Sequence, residues 1–358
     1  MKITSKAEAQ CRVDQINAFH AELTILEREK ILSLSEQSRA AVNGYHKEFI
    51  AHLSDVFDVD TDKREKQLSW GMKIASFLGA LGLAASVFFL FYQFWGRFST
   101  TMQVGILILA PIIGLIATMA ASQREKTWYF AKLFGLVSLA CFVLNLSMLG
   151  QIFNITPSPN AFLVWSIFAL ILAYASDARL LLAAGIISFS CFLSAKAGTW
   201  SGCYWLDFGE RPENFFPAAL VLFLVSLIPH PRYSGFAPIY RVYAMLLFFL
   251  PVLVLSNWGR ISYIPLAADT VEVIYQLVGF LFSASAIWLG IKRGWAEVVN
   301  TGNVFFTLFL YTKFFDWWWD WMPKYLFFLV IGLSAILILL VFKRLRTTVI
   351  RSGREVMA

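Results

Sequence analysis

The densest chemistry in this chain is the run Phe314-Phe315-Asp316-Trp317-Trp318-Trp319-Asp320-Trp321. Indole rings interspersed with carboxylates can stack on sugar rings and hydrogen-bond their hydroxyls, a pattern suited to a glycan or a lipid headgroup. Tryptophan at headgroup depth is also what an ordinary interfacial belt requires, so two readings compete for Asp316, Trp317, Trp318, Trp319, Asp320 and Trp321. The nearby acids Asp207, Glu210, Glu213, Asp269 and Glu272 favour a cationic or hydroxylated ligand over an anionic one.

A second group is uncharged and embedded in apolar sequence. Ser138, Cys141 and Asn145 share one helical face, Ser147, Gln151 and Asn154 form a strip beside it, and Glu297, Asn300, Thr301, Asn303 and Thr307 lie in a later segment with the same polar pattern. Such residues are costly in hydrocarbon without partners, so Asn145, Gln151, Asn300 and Asn303 are either hydrogen-bonded glue between helices or the lining of a polar path. No carboxylate or amine falls at the middle of an apolar segment, which argues against a proton-coupled pump.

Catalytic signatures are missing from the sequence. There is no GxSxG, no Walker A loop, no HExxH and no CxxC. His20, His46, His52 and His230 lack the i, i+4 spacing of a helical metal site, and Cys11, Cys141, Cys191 and Cys203 offer no disulfide pair on an oxidising face. The expectation is no cofactor, no metal and no recognisable enzyme, with a membrane enzyme of unlisted design ranking third among the readings.

The elements that must position these residues are membrane helices. Of the 358 residues, 58% are hydrophobic and only 15% charged, and the mean hydropathy is +0.65. Ten apolar stretches occupy about 69–94, 102–121, 128–152, 161–175, 179–197, 215–229, 239–258, 271–291, 295–315 and 325–342. A hydrocarbon core about 30 Å thick takes roughly 20 helical residues, and with no water to hydrogen-bond a free backbone each stretch must be a helix. The segments 161–175 and 215–229 are short enough for a re-entrant reading to compete. Pro111 and Pro251 fall inside the second and seventh stretches, where they should kink the helix. Ala75 with Gly79, and Gly82 with Ser86, give two small-xxx-small pairs on the first.

Basic residues cluster in alternate gaps. Arg124, Lys126, Lys132, Arg179, Arg232, Arg241, Lys292, Arg293 and the tail from Lys343 fall on one side, about twice as many as Arg97, Lys196, Arg211, Arg260, Lys313 and Lys324 on the other. The positive-inside bias therefore places both termini in the cytoplasm of a bacterial inner membrane, and it accounts for the formal charge of +7 without nucleic acid.

Residues 1–66 read as a separate cytoplasmic unit. Ile16, Phe19, Leu23 and Leu26, then Val42, Tyr45, Phe49, Leu53 and Val56, recur at spacings of three and four, so two amphipathic helices follow. Ser33 or Ser35 can cap the second, and the acidic run 55–62 ends it. The fold class is thus all-α: a helical hairpin at 1–66, a ten-helix transmembrane domain at 67–343 and a basic tail at 344–358.

The stretch from about Trp70 to Ala197 resembles a bacterial family of membrane proteins, domain of unknown function 2157. The resemblance rests on FLGALGLAASVFFLFYQFW, on LNLSMLGQIFNITPSPNAFLVW with its Gly150-Gln151-Ile152-Phe153 step, and on ARLLLAAGIIS. It implies a polytopic inner-membrane protein and carries over no catalytic residue. The partners expected are the bilayer, a small polar or lipid ligand, and a protein partner or second copy engaged through residues 1–66. Two functions stay open: binding or moving an envelope lipid or small solute, and a scaffold that recruits a cytoplasmic partner. Single-cysteine labelling of intact cells should modify probes at Ser158 and Ser262 and spare those at Gln123 and Ser234; labelling of the last two would overturn the topology.

Overall fold

A computed structural model describes residues 6–32, 34–57, 92–123, 128–230, 233 and 235–337, with isolated positions between 78 and 89. The described residues are 83% helix, with no strand among them. It divides into two compact units, residues 1–155 and 156–358. Most of the first expected span with Ala75 of its first small-xxx-small pair, the candidate cap Ser33, the acidic run after Phe57, the loop cations Arg124, Lys126 and Arg232, the probe position Ser234, and the basic tail lie outside the described residues.

In the first unit α1 (Lys6–Arg28) and α2 (Glu36–Phe57) run antiparallel. Ser35 caps α2: its hydroxyl accepts the Ser38 N–H at 3.2 Å, meeting one of the donors a helix start leaves free. Ala9, Val13 and Leu53 form the contact, flanked by Phe49 and Ile50. Ala9 and Val13 extend the apolar stripe of α1 two turns further back than Ile16, where the sequence reading began it. Phe19 and Tyr45, expected in the seam, are instead 47% and 62% exposed. A Glu27–Arg39 ion pair at 3.2 Å and a contact between His20 Nε2 and His46 Nδ1 at 3.0 Å close the far end.

The same unit holds α3 (Thr100–Ser122) and α4 (Trp128–Ile152). Pro111 lies inside α3 and has no N–H to give the Leu107 carbonyl one turn earlier. Asn145 of α4 supplies the missing donor, its amide reaching that carbonyl at 2.6 Å, while the Ser138 hydroxyl donates to the Pro111 carbonyl at 2.9 Å. Close approach is possible because Gly114 faces Ser138: a Cβ there would stand 2.7 Å from the serine Cβ. The outer faces of both helices stay apolar and exposed, with Ile108, Leu109, Ile112, Ile113 and Ile116 on α3.

The second unit contains α5 (Asn160–Ser176), α6 (Arg179–Trp200), α7 (Phe216–Leu227), α8 (Phe236–Leu255), α9 (Ala268–Arg293), α10 (Ala296–Trp318) and α11 (Lys324–Leu337). Its core joins α8, α9 and α10 through Met245, Phe249, Val252, Leu255, Val271, Tyr275, Val298, Phe305 and Phe309. Phe249 and Phe305 stack at 4.9 Å, and the Phe309 ring fills the space beside Gly279 that any side chain would take. Arg241 and Glu297 pair at 2.7 Å across the first turns of α8 and α10, both largely withdrawn from solvent.

Among the described residues five helices are long and apolar enough to cross a membrane: α3, residues 130–152 of α4, α6, α8 and α9. The shorter apolar segments are α5, Pro212–Leu227 and α11. At 1.5 Å per residue the 12 residues of α7 reach only roughly 18 Å, extended by the 3-10 turn Pro212–Phe215 that precedes it.

Two outcomes follow. Asn145→Leu should lower stability by about 0.6–2 kcal/mol in unfolding measured in bilayers or mild detergent, and Pro111→Ala, which returns an N–H to the Leu107 carbonyl, should cancel most of that loss. In the α1–α2 pair, burial first, then His20 and Arg12, holds the His46 imidazole below its ordinary pKa of 6.5. Because the folded value is the lower one, the unfolded state binds the extra proton. His46 therefore leaves the packing undiminished above about pH 6.5, and its protonation weakens the packing as pH falls through the folded value. Protection of the α1 and α2 amides from hydrogen exchange, relative to the intrinsic rate at each pH, should fall over that window in the wild type and stay flatter in His46→Gln.

Candidate functional site

Carboxylates, amides, one amine and one indole converge where α9 begins and α10 ends. Asp269, Glu272 and Gln276 occupy one face of the first turns of α9, at the spacing of three and four that aligns side chains on a helix. Lys313, Asp316 and Trp317 repeat that spacing at the end of α10. With Val273 and Asn257, which follows α8, they line a hollow of about 400 Å³.

Each polar group has a defined state. Lys313 is buried to 7% exposure and its ammonium meets the Asp316 carboxylate at 2.7 Å. Glu272 Oε1 accepts the Gly259 N–H at 3.0 Å, tying the 3-10 turn Gly259–Ile261 to α9. Asn257 donates its amide to the Leu253 carbonyl at 2.7 Å and to Ser256 Oγ at 3.1 Å. Asp269 is exposed in the first turn, where the partial positive charge of the helix start favours a carboxylate. Three carboxylates against one ammonium leave the lining with a formal charge of −2.

The neighbouring loops are pinned to the unit by a second polar knot. Glu213 Oε1 accepts from Ser262 Oγ at 2.5 Å, from the Tyr263 N–H at 3.0 Å and from Tyr275 Oη at 3.3 Å. Arg211 Nη1 donates to the Ile261 and Ser262 carbonyls at 2.9 and 2.7 Å, with its guanidinium 5.2 Å from the Tyr263 ring. Burial, then the Cys203 thiol 3.3 Å away, pushes the Tyr263 phenol above its ordinary range. Ser262 is thus only 8% exposed, and the exposed Arg260 is the better labelling position for this loop.

Of the residues singled out from the sequence, Asp316 and Trp317 reach the hollow, as do Asp269 and Glu272 among the neighbouring acids. The other tryptophans point elsewhere: Trp318 stacks on Phe314 at 4.7 Å, and Trp319 stacks on Phe315 at 4.9 Å with the Lys324 ammonium 3.6 Å from its ring. Trp321 and Asp320 are exposed, Trp321 to 77%. Asn300 and Asn303 sit at the other end of α10, Asn303 roughly 15 Å along the axis from Lys313; Asn300 is exposed and the Asn303 carbonyl oxygen is buried without a partner. In the first unit Asn145 is committed to Leu107 and Gln151 is exposed. Lys313 and Asn257 were not read as site residues. The i, i+3 placing of Asp269 with Glu272 and of Lys313 with Asp316 was the available signal.

Residues 49–182 match a family model described as predicted membrane protein (DUF2157). This is a membrane protein. The matched region runs from α2 into the start of α6 and ends before the residues of the hollow, so the family description bears on the architecture of the chain and not on the site. No curated protein matches the chain, and no solved structure matches it.

Proposed function

We propose that the protein is a ten-span protein of the bacterial inner membrane, with both termini cytoplasmic, that binds a small polar solute or a lipid headgroup at the outer ends of α9 and α10. The loop-charge bias supports the orientation, and five long apolar helices with three shorter ones leave room for the full count. On this reading residues 1–66 form a cytoplasmic hairpin, 67–343 the membrane domain and 344–358 a basic tail.

The observation that carries the binding role is the meeting of Asp269, Glu272 and Gln276 with Lys313, Asp316 and Trp317 around one hollow. Its volume of about 400 Å³ lies toward the small end of ligand sites, which commonly range over about 300–1,000 Å³. A net negative lining with an indole 60% exposed at its edge suits a cationic or hydroxylated ligand, since an aromatic face attracts cations and carboxylates accept from ammonium and hydroxyl groups alike. Binding is favoured over catalysis because Glu272 is tied to Gly259 and Asp316 to Lys313, leaving only Asp269 uncommitted among the carboxylates.

A scaffold role through residues 1–66 is the second reading. It is favoured by Phe19, Ile25 and Tyr45, exposed at 47%, 48% and 62% on α1 and α2.

Native mass spectrometry of the full chain, released from membranes in mild detergent, separates the binding site from an aromatic belt. Trp317→Ala, Asp316→Asn and Asp269→Asn should each reduce retention of the co-purifying lipid or solute at least severalfold, whereas Trp321→Ala leaves it intact. Thermal stability followed in parallel identifies any variant that acts by misfolding. Equal and small effects at all four positions would leave only the belt.

A further inference from the structure

The opposite end of the same three helices carries the opposite charge. The α9 helix ends in Lys292 and Arg293, turns through Gly294, and hands over to Trp295 and Glu297 at the start of α10, beside Arg241 of α8. Arg241 has two neighbours of complementary charge: its Nε lies 2.7 Å from Glu297 Oε1 as an ion pair and its guanidinium 4.3 Å from the Trp295 ring. That pair uses the local carboxylate. Arg293 approaches the same Trp295 ring at 5.6 Å, and Lys292 sits 5.1 Å from the ring of Trp288, one turn back on α9. Neither Lys292 nor Arg293 has a carboxylate partner among the described residues, and both are exposed.

The α9 helix dipole favours cations in its last turn, but that effect is satisfied by one charge and does not explain two adjacent ones held against aromatic faces beside a third. Trp288 is 63% exposed on a helix long and apolar enough to span the bilayer, which puts its ring at lipid. At that depth the abundant anion is a phosphodiester, which accepts hydrogen bonds from lysine and arginine together and carries acyl chains that can lie along Trp288. We propose that Lys292, Arg293 and Trp288 form a binding site for the headgroup of an anionic phospholipid. A zwitterionic headgroup is disfavoured because its own ammonium cancels the phosphate charge that the two cations require.

The test uses the full chain in mild detergent with equal amounts of phosphatidylglycerol and phosphatidylethanolamine, read by native mass spectrometry. The wild type should retain phosphatidylglycerol preferentially, and Lys292→Gln with Arg293→Gln should reduce that preference about tenfold or more, given the usual attraction of each interfacial cation to anionic lipid. Lys292→Arg with Arg293→Lys, which keeps both charges, should retain it, as should Arg260→Gln at the other end of the bundle. A wild type without preference, a double Gln variant that keeps it, or an equal loss in Arg260→Gln would overturn the site. Should the double Gln variant fold poorly, Trp288→Ala supplies the same reading: it should weaken retention while both cations remain, and unchanged retention would overturn the role of the ring.

Discussion

Every backbone carbonyl inside a bilayer must find a donor within the protein, and the architecture of this chain follows from that demand. It dictates helices for the apolar stretches. It also sets the price of each irregularity, as Pro111 shows: the proline removes the donor that Leu107 needs, and an asparagine on the next helix replaces it at 2.6 Å. The proline and the polar residue, which look like two features in sequence, are one interaction. Ser138 against the Pro111 carbonyl and the bare surface of Gly114 complete the same contact.

In the second unit the corresponding role falls to aromatic packing. Phe249, Phe305 and Phe309 fill the space between α8, α9 and α10, and Gly279 gives the Phe309 ring its place. Polar chemistry is thereby displaced to the two ends of the trio. At one end Arg241 and Glu297 neutralise each other under Trp295, leaving Lys292 and Arg293 in excess. At the other, Lys313 neutralises one of three carboxylates and leaves a net negative hollow. A bundle with an acidic hollow at one end and uncompensated cations at the other has a direction built into its charges.

Removing one partner of either ion pair differs from removing both. A lone Lys313 or Arg241 would be a buried charge without compensation, a larger penalty than the pair itself contributes to stability. The Arg241–Glu297 pair therefore acts mainly to keep α8 and α10 in register, while Lys313–Asp316, an i, i+3 pair within α10, holds the ammonium in place at the hollow. The knot at Glu213 and Arg211 does the same for the loops beside the hollow, with three donors gathered on one carboxylate oxygen.

Hydropathy is a sum of single-residue transfer energies, so the sequence alone determined the membrane class, the positions of the apolar helices among the described residues and a break at 33–35 before α2, where the structure makes Ser35 the cap. Apolar periodicity likewise located the stripe of α1 and α2, although Phe19 and Tyr45 prove exposed because a stripe specifies a face and not how much of it a single partner helix covers. The site was only partly legible. Trp317, Trp318, Trp319 and Trp321 are equivalent in composition, yet successive helical residues turn by about 100°, so only Trp317 faces α9 while Trp318 and Trp319 stack on their own helix and its continuation. Lys313, counted from sequence as a loop cation, becomes the buried partner of Asp316, and Asn145 proves to be a backbone donor, because each depends on the rotation and approach of a second helix. Those are properties of packing between segments distant in the chain, and only the tertiary structure decided them.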